Sequence, residues 1–420
     1  MPVKAGSSHT VVENDWLSKL SGEAYGDIFK WNIIADANPQ INGRGVAVDG
    51  SPLIFPGDVL WIPEEIFEDN FDDVLTESFA EQQEESFSIA INGENVAVIK
   101  GEFVKTMDTA SDSVSFDIDP DGVTDTIREA LKPFRYPLVT LKINGELQLT
   151  GYLYVVDSSV ESDKRLKSCT VYSKTANLID SSVNPPYEQR SVSLKGRAET
   201  LCRDLGISVT FAESDSKVWD KVTARSGQKR FDHLVSLAQE RGLLISCTAE
   251  GGLLFHKANS DGVAVDALVE GEKGALSFSC VANGRERFSS YRITGKTIDK
   301  QPVSKTVVDE FVPVPRYFCK KMSRSSGGTV TTAAEWERSK AIADALSIST
   351  PVDRWSDKSG KLWSVNSFIT VKSKTLDLES GTDLLIRRVK FSYSSSGKTA
   401  ILDLVPKEVF LGGSITDIWS

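Results

Sequence analysis

Residues 137–159 read PLVTLKINGELQLTGYLYVVDSS, and this stretch decides the architecture of most of the chain. Apolar and polar residues alternate on both sides of Asn144-Gly145. That dipeptide accepts positive φ at both central positions of a tight turn, so the stretch is a β-hairpin. Working outward, FSIAINGENVAVIKGEFVKTMD (87–108) repeats the pattern around a second Asn-Gly turn. SVSFDIDPDG (113–122) adds a strand, and CTVYSKTANLID (169–180) adds another that runs into a polar turn. Short strands joined by tight turns predict a small β-barrel or sandwich over residues 87–185.

Beyond residue 186 the period changes. SLKGRAETLCRDLGISVTF (193–211) reads as a helix followed by a strand. KRFDHLVSLAQERGLLISCTAEGGLLFHK (229–257) reads as a helix, a strand and a hairpin partner. Phe231, Leu234, Val235, Leu237 and Ala238 form the apolar stripe of that helix, His233 falls outside it toward solvent, and Gly242 ends it. Residues 186–274 are therefore expected to form a compact α+β domain. Strands resume with ALSFSCVANGRERFSSYRITGK (275–296) and continue in WSDKSGKLWSVNSFITVKS (355–373) and DLLIRRVKFSYSSSGKTAILDLVP (383–406). A polar Ser/Gly stretch at 323–331 precedes a helical run, AAEWERSKAIADALSIS (333–349). Residues 275–420 are thus expected to be a second barrel with a helical insertion near 330–350.

The first 63 residues carry a different pattern. His9–Glu13 alternates as a short strand, and Asn14 or Asp15 is placed to cap a helix with Leu17, Leu20 and Ala24 on one face. Tyr25-Gly26 stops it, Asp27 is placed to cap a second helix carrying Ile28, Trp31, Ile34 and Ala35, and Asn38-Pro39 ends that one. Ile54–Asp58 is a turn, and Val59–Pro63 is the return strand. HTVVENDWL (9–17), AYGD (24–27), WNIIADANP (31–39) and LIFPGDVLWIP (53–63) in this βααβ order resemble the LysM family. The loop at 42–51 is longer than that family usually has. The resemblance implies binding of N-acetylglucosamine polymers such as peptidoglycan through two loops at one end of the sheet. On this sequence the glycan-binding candidates are Asp15, Trp16, Leu17, Asn38, Ile54 and Phe55. Trp16, Trp31 and Trp61 serve equally well as core or interface residues.

Charge and composition narrow the remaining functions. Residues 64–86 hold ten of the acidic residues and no Lys or Arg, and without them the net charge of −11 becomes −1. The run is expected to be an acidic, solvated linker. A nearly neutral remainder argues against nucleic-acid binding, which needs clustered positive charge. The basic spots GRER (284–287) and Arg387-Arg388 are expected to make surface ion pairs. No apolar run approaches the ~18 residues of a membrane span. The N-terminus lacks a secretory signal, so synthesis in the cytoplasm is expected.

Chemistry-bearing residues are sparse. Cys169, Cys202, Cys247, Cys280 and Cys319 lie 33 to 45 residues apart, a spacing of isolated buried thiols and not of a disulfide framework or zinc site. His9, His233 and His256 are too few and too scattered for a metal site, with His9 and His256 expected in structural roles at strand ends. Asp117-Ile118-Asp119-Pro120-Asp121 lacks the ligand spacing of a calcium loop and reads as a turn. Neither a nucleophile elbow nor a phosphate-binding loop is present. No catalytic residue, metal or cofactor is expected, and the protein is read as a non-enzyme.

From residue 87 onward the pieces, in order, resemble the baseplate hub family of contractile-tailed phages, the Mu-like tail proteins. They are GYLYVVD after the INGE hairpin, SKTANLIDSS, KGRAETLCRDLGISV, FDHLVSLAQERGLLISCTAEGGLLF, SSYRITG, SGKLWSVNSFITV and LLIRRVKFSYSSSGKTAILDL. The resemblance implies an α+β, mainly β fold with two tube-forming barrels that assemble as a homotrimer. Such a ring would join a six-fold tail tube to a three-fold central spike within the virion. The implied partners are the spike protein, the tail tube and tape-measure proteins, and the baseplate wedge proteins. The chain ends at Ser420 without a needle-like repeat, so the spike is expected to be a separate protein. A second function class stays open, a cell-wall-binding or cell-wall-hydrolysing protein targeted by LysM. In the hub reading the LysM module is a docking domain.

Overall fold

Alternation in the strand-rich segments translates directly into burial. In the strand Ser113–Ile118, Val114, Phe116 and Ile118 are buried and Ser115 is exposed. In Leu138–Ile143 the buried set is Val139, Leu141 and Ile143. One face of each strand thus lines a core while the other meets water, as a half-buried strand requires.

A computed structural model describes residues 3–26, 30–41, 44–45, 47, 51–63, 85–161, 164–296, 301–322, 330–395, 397–411 and 418–419. The chain divides into two units, Met1–Ala80 and Glu81–Ser420. Most of the predicted linker (64–84), the predicted cap Asp27, the predicted apolar-face residue Ile28, and much of the 42–51 loop lie outside the described residues.

The larger unit is mainly β. Thirteen of its strands share one sheet. From Ser279–Ala282 the path runs through Leu346–Val352 and Gly397–Pro406 to Leu378–Ser394. It then crosses to Lys100–Thr106, Ser113–Ile118, Lys164–Ser173, Glu146–Glu161, Leu138–Ile143, Phe87–Ile91 and Glu94–Val96. β-Barrel domains are expected at 87–185 and 275–420; an antiparallel ladder pairs Gly101 with Tyr393 through Thr106 with Arg388 and joins the strands of these two regions in one sheet. One hydrophobic core runs beneath both, from Phe87 and Phe103 to Phe391 and Leu404. Alternation identifies each strand but says nothing about which distant edge completes its ladder, so the junction is not legible in the sequence.

At the junction, Phe103 stands opposite Phe391 with ring centroids 6.0 Å apart. Trp355 meets Phe391 edge-on at 6.2 Å and donates its indole N–H to the carbonyl of Thr399 at 3.0 Å. Fully burying each such ring is worth about 2–3 kcal/mol, and each ring pair adds about 1 kcal/mol.

Between the two halves of the sheet lies an α+β segment with its own core. Helices Leu194–Cys202 and Arg230–Gln239 pack over a three-stranded sheet of Val209–Phe211, Leu253–His256 and Leu244–Cys247, and Glu188–Ser193 pairs with Val218–Thr223. Ala267–Val269, expected within this segment, pairs instead with Phe368–Ser373 of the large sheet. The predicted polar turn after Ser173 contains a short helix, Ala176–Asp180. The helix near residue 340 spans Val330–Ala345, and Leu346–Val352 is a strand, not the helical end expected. Its alternating buried residues Leu346, Ile348, Thr350 and Val352 give the physical reason.

The smaller unit places strand Ser7–Thr10 against Val59–Ile62, from Ser7 opposite Ile62 to Thr10 opposite Val59. Helices Leu17–Tyr25 and Trp31–Asp36 supply Leu17, Leu20, Ile34 and Ala35 to its core. Neither Asn14 nor Asp15 caps the first helix. Trp16 occupies that position without a side-chain cap, Asn14 adopts φ 71°, and the Asp15 carboxylate is turned to other partners.

Gly151 shows how tightly the decisive hairpin is built. A Cβ there would lie 2.0 Å from the carbonyl oxygen of Tyr172 and 2.6 Å from its carbon, both backbone atoms of the adjacent strand. Gly151→Ala is therefore expected to destabilise the larger unit by about 3 kcal/mol, read as a fall in the thermal unfolding midpoint.

Candidate functional site

The end of the small ladder brings together much of the predicted glycan site. Residues 11–16 leave the first strand and 53–58 enter the second, with the Val11 amide donating to the Asp58 carbonyl at 2.8 Å. Trp16 (48% exposed) and Phe55 (54%) present their rings to solvent there, together with Val12. Lys19 lies 5.6 Å over the Trp16 ring and Arg44 5.5 Å over that of Phe55. Arg44 also pairs with Asp58 and, with the Phe55 amide, holds that carboxyl below its ordinary pKa.

The other candidates do structural work. Leu17 and Ile54 are buried in the core. Asp15 accepts from the Val12 amide at 3.1 Å and from Lys19 Nζ at 2.9 Å, and its Oδ2 lies 2.8 Å from His9 Nε2. Burial would raise its pKa, but the hydrogen bonds from His9, Val12 and Lys19 outweigh it and bring the carboxyl to about 2. Asn38 is buried. Its amide nitrogen donates to the carbonyls of Ile34 and Trp61, both at 2.7 Å, and its oxygen accepts from the Trp61 amide at 2.8 Å. It is a brace between the second helix and the return strand.

In the larger unit His233 is buried, not exposed as expected. Arg197 of the helix Leu194–Cys202 meets it, with Nε donating to His233 Nε2 at 3.2 Å. Burial and the neighbouring guanidinium lower the imidazole pKa to about 4. His256 ends its strand, with Nε2 3.0 Å from the Met107 carbonyl. Burial pushes Cys169, Cys202 and Cys247 up to about 12, which keeps them as thiols at neutral pH and opposes any nucleophilic role. Cys280 is half-buried and Cys319 exposed, so the expectation of five buried thiols fails for these two. Asp119 closes a turn by accepting from the Asp121 amide at 2.9 Å. Among the described residues no group of three or more His, Cys, Asp or Glu is arranged to hold a metal ion.

Two interior constellations were not legible in the sequence. Arg387, expected on the surface, is half-buried. It donates to Asp108 at 2.7 Å, to Asp344 at 2.9 Å and to the Ala343 carbonyl at 3.2 Å. It thereby ties the junction ladder to the end of the helix Val330–Ala345, where a cation also meets the helix dipole. Asp112 is 4% exposed beside Cys247 and accepts from the Thr106 amide at 3.1 Å. Neither signal is local, since each includes a partner more than a hundred residues away, Asp108 for Arg387 and Cys247 for Asp112.

Comparison with known proteins places this architecture. Residues 175–257 match the family described as baseplate hub protein gp44-like, second domain, which is the α+β segment. Residues 327–412 match the fourth domain of the Mu phage baseplate assembly protein GpP. The chain resembles phage baseplate hub proteins. It is 28% identical over 290 residues to the baseplate hub protein gp44 of Escherichia phage Mu, covering 65% of this chain and 76% of the phage protein. The fold is that of a 43 kDa tail protein of prophage MuSo2 from Shewanella oneidensis, with a TM-score of 0.64 at 21% identity over 78% of this chain and 99% of that one. A tail protein from Neisseria meningitidis MC58 superposes with a TM-score of 0.67 at 14% identity, covering 78% and 98% of the two chains.

Asp112 generates a pH prediction. Burial, its dominant influence, raises the carboxyl from 3.8 to about 6, against the opposing effects of Lys105, Cys247 and the Thr106 amide. Between about pH 4 and 6 the folded protein keeps a proton that the unfolded chain has released, so stability falls as pH rises through that window. Asp112→Asn keeps an acceptor for Thr106 and removes the slope. Thermal melts should show the variant matching wild type near pH 4 and exceeding it at pH 7, by on the order of 3 kcal/mol.

Proposed function

We propose that the chain is a structural baseplate hub of a contractile phage tail, located in the virion and without enzymatic activity. In this reading three copies form a ring that joins the six-fold tail tube to the three-fold central spike. The single observation that carries it is the pair of baseplate-domain matches, at 175–257 and 327–412, on two parts of one sheet-built body. A cyclic trimer closes with one repeated heterologous interface, which suits a body whose sheet path has two ends. The partners that follow are the spike protein, tail tube and tape-measure proteins and the baseplate wedge. Assembly takes place in the host cytoplasm.

The N-terminal unit, on this reading a LysM module, docks the hub to neighbouring baseplate or tube subunits. The acidic run at 64–86 is its tether. A second reading, retained peptidoglycan binding, is favoured by one observation, the exposed Trp16 and Phe55 rings at one end of the ladder.

Light scattering on the purified full chain, or imaging of assembled tails, tests the hub. Three copies per particle, with tube and spike proteins attached, are expected; a monomer that binds neither would overturn it. Deletion of residues 1–63 separates the two readings of the small unit. Failure of tail assembly supports docking, whereas normal tails with impaired adsorption support glycan binding.

A further inference from the structure

A cleft of about 460 Å³ opens beside the helix Leu194–Cys202 in the α+β segment, with Arg197, Arg230, Asp204, Glu188 and Thr200 in its wall. Arg197 is 2% exposed, yet the groups that hold it are neutral. They are His233 Nε2 at 3.2 Å, the Gln189 side-chain oxygen at 3.4 Å and the Tyr187 carbonyl at 3.5 Å. All three are long for hydrogen bonds from a cation.

The carboxylates in the wall are already committed. Asp204 takes a two-pronged grip from Arg230, with one contact at 2.8 Å. Glu188 pairs with Lys221 and Arg190. Among the described residues, none places a carboxylate oxygen within ion-pairing distance of Arg197. The contrast between the two arginines is physical. Asp204 raises the pKa of Arg230, whereas burial alone acts on Arg197 and lowers it. A buried guanidinium without a counter-charge is costly, and proteins retain one where an anion completes it. A guanidinium has five N–H donors. The three contacts leave two of them, one on each terminal nitrogen, as donors for the oxygens of an anion.

We infer that this cleft is a binding site for a carboxylate-bearing ligand, with Arg197 as its charge partner. A carboxylate fits better than a phosphate because Glu188 and Asp204 share the wall and repel a second negative charge. The site is independent of the hub reading.

The test uses the full chain titrated with acetate and glutarate at constant ionic strength, followed by calorimetry and by the His233 ring resonances. Saturable binding is expected, with the His233 signal shifting as an anion settles beside its arginine neighbour. Arg197→Gln should weaken binding about tenfold or more, and Arg197→Lys should restore part of it. Because the loss of a buried arginine can impair folding, Thr200→Tyr supplies a second arm. It fills the cleft from an exposed position without touching the guanidinium and should abolish binding while leaving the unfolding midpoint unchanged. The absence of saturable binding, binding unaffected by Arg197→Gln and Thr200→Tyr, or tighter binding of inorganic phosphate than of glutarate would each overturn the assignment.

Discussion

The ladder between Lys100–Thr106 and Leu378–Ser394 is the constraint on which the larger unit depends. It closes a loop of nearly three hundred residues, and Asp108 and Arg387 clamp its end across 279 positions. Loop closure costs entropy that grows slowly with length, so a few well-made contacts suffice to hold it once formed. The Phe103–Phe391 pair, the Trp355 ring packed on Phe391 and the Arg387 ion pairs supply them. Without this seam the strands before the α+β segment and those after it would be two sheets with exposed edges, a recognised route to aggregation.

The α+β segment is inserted into that closed loop and is tied back to the sheet by polar contacts and by an apolar cluster in which Leu244 and Ala258 join Met107, Phe368 and Leu385. Asp112 meets Cys247, His256 reaches the Met107 carbonyl, and Asn366 accepts from the Asn259 amide at 2.7 Å. Gly251 also lies close to the sheet, where a Cβ would stand 2.8 Å from the Thr150 carbonyl oxygen. Polar seams of this kind fix orientation because each unmade bond would leave a buried group unsatisfied.

Buried charge separates the two units. In the small one, Asp15 is surrounded by donors and Asn38 has its oxygen and its amide group engaged, so its polar interior is satisfied from within. In the α+β segment, Arg197 is left with neutral acceptors and a cleft at its side. The first arrangement is what a small fold with a limited core needs to stay rigid. The second is an asymmetry that a partner can exploit.

The sequence by itself determined the local structure. The Asn144-Gly145 turn, the alternation of Val139, Leu141 and Ile143, and the helical stripe of Leu234, Leu237 and Ala238 all lie where their neighbours along the chain dictate. It also carried the order of pieces that resembles the hub proteins. Tertiary structure alone decided the rest. Which edge Lys100–Thr106 would meet, why His233 is covered, and how Arg387 becomes a clamp all depend on residues far away in the sequence. Of the predicted small-unit site, only Trp16 and Phe55 show rings to solvent, because Leu17 and Ile54 are needed for the core and Asn38 for the brace. The physical reason is the same throughout. Periodicity fixes which face of an element is apolar, but only packing decides what that face, and the one opposite, will touch.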